Sequence, residues 1–205
     1  LGEAARTRDD AQRYFDDYAR AIEQVGKTCK TLSDKTPAPS VSIKLSALHP
    51  RYEFGRREQV LAELVDTVIK LVSKARALDV AVTIDAEEID RLEISLEVFR
   101  AVYESEAAKG GGHFGLVVQA YSKRALPVLH YINRLADQQG DEIPLRLVKG
   151  AYWDTEIKES QQLGVDGYPV FTRKAGTDVA YLACAQFLLS SDTTHSELMA
   201  RLSTL

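Results

Sequence analysis

The chain has 205 residues and few of the groups that mark the commoner kinds of site. Its two cysteines, Cys29 and Cys184, stand far apart. That excludes a disulfide framework and a cysteine metal site, and makes a reducing compartment the default. Its four histidines, His49, His113, His130 and His195, form no ligand spacing, so no metal is expected. No apolar run is long enough to cross a bilayer, and the polar start shows no signal peptide. There is no Gly-x-Gly-x-x-Gly, no Walker motif and no Gly-x-Ser-x-Gly, which removes the usual dinucleotide, nucleotide and serine-hydrolase signatures. An excess of positive charge is missing too. The net charge of −4 argues against nucleic acid or an anionic membrane surface as a main partner. Internal repeats and low-complexity segments are absent.

What remains is an ordinary globular composition, 45% hydrophobic and 27% charged, long enough for one substantial core. Apolar residues recur at helical spacing over Thr7–Gly26, with Gly26 as a C-terminal stop, and again over Arg57–Leu78, Ile89–Ala108, Lys123–Gln138 and Thr172–Leu189. A shorter helix is expected over Asp154–Leu163. Between them lie β-rich runs at Ser40–Leu45, Val80–Asp85, Phe114–Gln119 and Leu145–Val148, mostly preceded by proline or glycine. The runs return roughly every 30–40 residues, the length of a strand–helix unit. Such alternation predicts an α/β fold with a parallel, helix-covered sheet. An open doubly wound sheet and a closed (βα)8 TIM-type barrel both satisfy it. Polar groups at the C-terminal end of every run favour the barrel, whose catalytic rim lies there. With Leu1-Gly2-Glu3 counted as the end of a further strand, about five units are present. The barrel domain is expected over residues 1–189, and a short helical tail over 190–205.

The rim groups each admit a plain structural role beside a chemical one. The run Arg146-Leu147-Val148-Lys149-Gly150-Ala151-Tyr152-Trp153 crowds two cations, a glycine and two adjacent aromatics into eight residues. It suits a large, flat, anionic ligand. Arg146 either stabilises charge developing on that ligand or makes a structural ion pair. Lys44 sits between apolar Ile43 and Leu45. It either binds a carboxylate or acts as an amine nucleophile, or it pairs with Asp85. Asp85 and Glu87 share one side of an extended segment. They serve acid–base work, neutralise rim cations, or cap the helix that starts near Ile89. Gln119 offers its amide to a ring edge or fixes a loop, and Tyr121 follows it. Tyr152 and Trp153 stack on ligand rings or fill the core. Gly150 admits close backbone approach or a tight turn. His49, before Pro50, reads as loop structure.

Five collinear stretches resemble the proline dehydrogenase domain of the bifunctional proline-utilisation (PutA) flavoproteins: Ser42–Tyr52, Ile84–Glu88, Val118–Tyr121, Arg146–Trp153 and Gly167–Lys174, the last followed by Thr177-Asp178 and Tyr181-Leu182. The similarity covers about Leu1–Leu189. It implies a (βα)8 barrel that binds FAD noncovalently. The implied reaction oxidises L-proline to pyrroline-5-carboxylate by hydride transfer from C5 to flavin N5, and electrons pass to a membrane quinone. The resemblance makes Lys44 the ligand of the proline carboxylate, Asp85 an organiser of the substrate cluster and Arg146 the cation at flavin N5. It puts Gln119, Val148, Lys149, Gly150, Ala151, Tyr152 and Trp153 against the flavin, with Tyr152 also beside substrate and Trp153 against the adenine. Thr172 and Lys174 become further FAD contacts, and Glu3 a carboxylate that gates the site. A fused aldehyde dehydrogenase domain and a cytoplasmic parent, peripheral at the inner membrane, are further implications. The family continues with more barrel strands and a helix bearing paired arginines. Nothing after Leu189 matches these, and Arg201 is not such a pair. Two other readings stay open: a non-catalytic barrel fragment, and a Schiff-base lyase using Lys44 or Lys149.

Overall fold

The computed structural model describes residues 2–29, 39–110 and 112–190. Four parallel strands, β1 (Ser40–Ile43), β2 (Ala81–Ile84), β3 (Phe114–Gln119) and β4 (Leu145–Val148), lie in one sheet in sequence order. Helices alternate with them: α1 (Arg8–Cys29), α2 (Leu45–Leu48), α3 (Arg57–Arg76), α4 (Leu92–Tyr103), α5 (Ala125–Gln139), α6 (Trp153–Leu163) and α7 (Lys174–Leu189). This is the expected α/β, barrel-type succession of units. Four strands, not five, stand among the described residues. Gly2 and Glu3 carry no strand pairing; Ala4 has a left-handed φ of 42°, and the Ala5 N–H donates to the Ser46 carbonyl of α2 instead of to a strand. Leu1 and the expected tail beyond Ser190 lie outside the described residues.

The chain divides into two compact units, Leu1–Asp85 with Glu93–Gly115, and Ala86–Leu92 with Leu116–Leu205. In the first unit α1 packs on α3 and on β1, and α3 packs on β2. The α3 stripe Val60, Leu64, Val68, Leu71, Val72 and Ala75 is buried, as its three-and-four spacing requires. Each such Val or Leu contributes about 2 kcal/mol by leaving water. Phe99 stacks on Tyr103 and Phe114, with ring centroids 5.6 and 5.0 Å away. β3 is buried along its length. In the second unit α7 packs on α5 and β4, and α5 buries Val128, Leu129, Ile132 and Leu135. Left-handed Gly140 and Gly164 close α5 and α6.

Several ends differ from the sequence pattern, each for a local reason. α1 runs through Gly26 to Cys29. Gly26 is not a stop but a point of close packing, since a Cβ there would stand 2.8 Å from Leu78 Cβ. Gly26→Ala is therefore expected to lower stability by about 1 kcal/mol, because overpacking costs roughly 1–3 kcal/mol against a helix gain of about 1 kcal/mol. A urea midpoint at or above wild type would contradict this. β1 ends at Ile43 rather than Leu45, and Leu45–Leu48 forms a single buried helical turn. α4 stops at Tyr103, short of Ala108, where the Ser105 hydroxyl donates to the Val102 carbonyl. α5 and α7 each start two residues later than their periodicity suggests. The Lys123 N–H is taken by the Pro169 carbonyl, and the Phe171 N–H by that of Tyr121.

Candidate active site

In the first unit the paired register ends at Ile43↔Ile84, and the Asp85 N–H donates to the Ile43 carbonyl at 2.9 Å. Lys44 and Asp85 thus follow at neighbouring strand ends, where the predicted rim begins. Val41, Ile43, Val82 and Ile84 are buried, so by alternation Lys44 and Asp85 continue the opposite, half-buried faces. The Lys44 ammonium lies 2.9 Å from Glu3 Oε1. The backbone around this pair is also tied down. The Lys44 N–H donates to the phenol oxygen of buried Tyr18 at 3.1 Å, and the Ala4 N–H donates to Ser46 Oγ at 3.2 Å. His49 is buried and structural, as expected. Its Nδ1 accepts the Arg51 N–H, so Nε2 faces Glu63 at 3.3 Å with the ring proton. Arg8 grips Glu63 with both guanidinium nitrogens, and this, with Gln59, holds the Glu63 carboxyl down to about 2.

The second unit contains the other predicted residues. Arg146 and Val148 are half-buried on the face of β4 opposite to buried Leu145 and Leu147, in register with Val117 and Gln119. Gln119 is itself buried. Its amide N–H donates to the Glu87 carbonyl at 3.0 Å, and its oxygen accepts the Ala151 N–H at 2.9 Å. The loop-fixing role is thus real, and it uses one donor and one acceptor site of the amide. Gly150 has φ +144°, and a Cβ there would stand 2.4 Å from the Tyr121 ring. Close approach, not merely a turn, is what this glycine supplies, and the group that approaches is Tyr121.

Trp153 opens α6 with its indole N–H on the Phe171 carbonyl at 3.1 Å, and its ring is 42% exposed. Tyr152 is half-buried and Thr172 exposed. Lys149 and Lys174 converge on one carboxylate, Asp178, at 2.8 and 2.6 Å. Hydrogen bonding and charge from Asp178 raise the Lys149 ammonium, and the two lysines lower Asp178. Two cations sharing one anion leave positive charge at the N-terminus of α7, an anion-favouring place. The segment Pro169–Phe171 runs antiparallel to Tyr121–Lys123, which brings the Gly167–Lys174 stretch to the end of β3.

Sequence reasoning passed over Glu156. It is 3% exposed, and its Oε1 accepts the Ile89 N–H at 2.8 Å and the Tyr121 hydroxyl at 3.4 Å. It therefore caps the 3₁₀ turn Ile89–Arg91 across the unit, where Asp85 or Glu87 was expected to serve. The available signal was that α6 has almost no apolar stripe, so its buried face had to be polar. Glu156 also borders a cavity of about 470 Å³ shared with Lys123, Glu159, Ser160 and Tyr168. Burial first, then Glu159, Asp90 and Glu88, push the Glu156 carboxyl up against the Ile89 hydrogen bond. A raised carboxyl stabilises the fold fully below its unfolded pKa and loses that contribution as pH climbs through the folded one. Glu156→Gln should therefore flatten the fall in stability on the alkaline side of about pH 4.3. Parallel Tm–pH curves for wild type and variant would refute this. Cys184 is buried, which raises its thiol and leaves it unreactive. Among the described residues no helix is long and apolar enough to cross a membrane, and no three His, Cys, Asp or Glu gather as metal ligands.

A parallel sheet whose strand ends carry this polar set defines an α/β, TIM-type barrel chain, here incomplete. The chain belongs to the proline dehydrogenase family, whose sequence profile matches residues 1–203, and so to a family of oxidoreductases. It is 48% identical over 191 residues to the bifunctional protein PutA of Klebsiella aerogenes, covering 93% of this chain and 14% of that protein. It is 29% identical to proline dehydrogenase 1 of Bacillus subtilis, covering 93% of this chain and 51% of that one. A crystal structure of Bradyrhizobium japonicum PutA superposes with a TM-score of 0.88 at 53% identity, over 91% of this chain and 19% of the other. The chain thus spans a small part of these PutA relatives.

Proposed function

We propose that the protein to which this chain belongs is an FAD-dependent proline dehydrogenase that converts L-proline to pyrroline-5-carboxylate, acts in proline catabolism and passes its electrons to a quinone. The observation that carries the proposal is the second-unit arrangement, in which internal hydrogen bonds and ion pairs fix Gln119, Ala151, Trp153, Lys149 and Lys174; such a set suits a flat, anionic dinucleotide. The donor set fits such a group. A half-satisfied amide suits a ring edge, an exposed indole offers a stacking face, and surplus positive charge at a helix N-terminus suits a pyrophosphate.

FAD, when bound, supplies the hydride acceptor for proline C5. The protein's own task is to orient, to exclude water and to meet charge with charge. Arg146 provides fixed positive charge where the ring gains negative charge. Lys44 takes the substrate carboxylate, Glu3 competes for it from outside, and Asp85 orders the cluster. Val148, Gly150 and Tyr152 shape the ring's surroundings, with Tyr152 also toward substrate, and Thr172 adds a polar contact. A Schiff-base role for Lys149 is disfavoured, because Asp178 holds its amine protonated and only the free amine attacks a carbonyl.

In the full-length protein the proposal predicts a yellow solution whose flavin absorbance bleaches when L-proline is added anaerobically. Bound flavin that ignores proline would overturn the substrate; a colourless protein would overturn the cofactor. Bound FAD on the 205-residue chain alone separates a competent part from a non-catalytic fragment. A fused aldehyde dehydrogenase, and a peripheral contact of a cytoplasmic parent with the inner membrane, belong to the same proposal.

A further inference from the structure

Glu156 has no part in the chemistry above, yet it is a carboxylate buried at 3% exposure. Its two donors come from different segments, Ile89 after β2 and Tyr121 after β3. Tyr121 is in turn a hub. Its N–H donates to the Lys149 carbonyl at 2.7 Å, its carbonyl accepts the Phe171 N–H at 2.9 Å, and its ring fills the space where a Gly150 side chain would stand. Burial and the nearby Glu156 charge keep the Tyr121 phenol protonated, so it remains a donor.

A short side chain at the N-cap position 88 would serve the N–H groups of Asp90 or Arg91, not that of Ile89, so the half-buried Ile89 N–H needs an acceptor from another segment. The residue there is Glu88, which makes no side-chain cap. The buried acid instead arrives from α6, together with a phenol that rests on the Lys149–Ala151 backbone. Three carboxylates, Glu159, Asp90 and Glu88, oppose its charge, so its retention calls for a partner besides the Ile89 N–H.

We propose that Glu156 is a positioning residue: by anchoring the Tyr121 hydroxyl and the Ile89 N–H together, it sets the Lys149-Gly150-Ala151 backbone that presents the cofactor-contacting groups. The geometry stands independently of the proposed function, while its consequence for flavin rests on that reading.

Site-resolved amide hydrogen exchange on the full-length protein tests it, with Glu156→Leu (no acceptor), Glu156→Gln (acceptor kept) and Tyr121→Phe (ring kept, hydroxyl lost). Glu156→Leu should speed exchange about tenfold at Ile89, and also at Ala151 and Phe171, which Glu156 does not touch. Tyr121→Phe should speed Ala151 and Phe171 but spare Ile89. Glu156→Gln should keep all three within about threefold of wild type. In the same samples flavin affinity should fall for Glu156→Leu and Tyr121→Phe and recover in Glu156→Gln. Acceleration confined to Ile89 in Glu156→Leu would reduce Glu156 to a cap and overturn the proposal. If Glu156→Leu does not fold, unchanged Ala151 and Phe171 exchange in Tyr121→Phe overturns it alone. Wild-type protein without flavin would sink the functional reading and leave the exchange result to decide this one.

Discussion

Gly150→Ala should lower stability by about 3 kcal/mol and abolish flavin retention in the full-length protein. Two costs add. At φ +144° an L-residue is strained, and such backbone costs about 1–3 kcal/mol. The new Cβ would also stand 2.4–2.7 Å from three carbons of the Tyr121 ring, and overpacking of that kind costs about 1–3 kcal/mol. The ring has little freedom to retreat. Its backbone is bonded to Lys149 and Phe171, and its hydroxyl to Glu156. The loop is the softer partner, so Ala151 should leave Gln119 and disturb the segment between Lys149 and Trp153. Urea denaturation and flavin absorbance after gel filtration check both parts. A variant with a wild-type midpoint and full yellow colour would show that the loop absorbs a side chain freely. A variant of Gly26, where φ is not left-handed, should suffer less.

The contrast between these two glycines shows what sequence reasoning reaches. Hydrophobic periodicity located five of the six expected helices, all but α6, and all four β-rich runs, because burial against a sheet leaves a repeating imprint along the chain. It also put Lys44, Asp85 and Gln119 at strand ends, whereas Arg146, expected where β4 turns into a loop, is the second residue of that strand. What it could not see was the partner of any group distant in sequence. Gly26 had the look of a helix stop because the residue it makes room for, Leu78, is 52 positions away. Glu3, which reaches Lys44 from a segment without strand pairing, is 41 positions away. Glu156 was invisible for a further reason. Its role depends on burial, and a glutamate in a polar helix advertises exposure. Tyr121 and Gly150 were both noticed, but only coordinates join them. Resemblance supplied roles for these positions. The contacts show how several of them are held in place.

Lys44→Met, in the full-length protein, should raise KM for proline about a hundredfold with little loss of fold. Truncating one partner of a desolvated charge pair costs about 2–5 kcal/mol, and 3 kcal/mol is roughly a hundredfold. The effect on stability should be far smaller. The Glu3 partner is 66% exposed and Lys44 25% exposed, and such surface pairs contribute about 0–1 kcal/mol. The Tyr18 hydroxyl holds the Lys44 backbone rather than its side chain, so the strand end should keep its course in the variant. Flavin absorbance should also stay as in wild type. Glu3→Gln gives the opposite sign. It removes a carboxylate 2.9 Å from the ammonium, a direct competitor for an incoming proline carboxylate, so KM should fall by about twofold to fivefold. The pair of results separates the alternatives. A structural ion pair predicts that both variants lose a little stability and neither moves KM. A carboxylate site predicts a large rise for one and a fall for the other. KM within threefold of wild type for Lys44→Met, in a yellow and folded enzyme, would remove Lys44 from substrate binding and leave the carboxylate to be held by groups elsewhere in the protein.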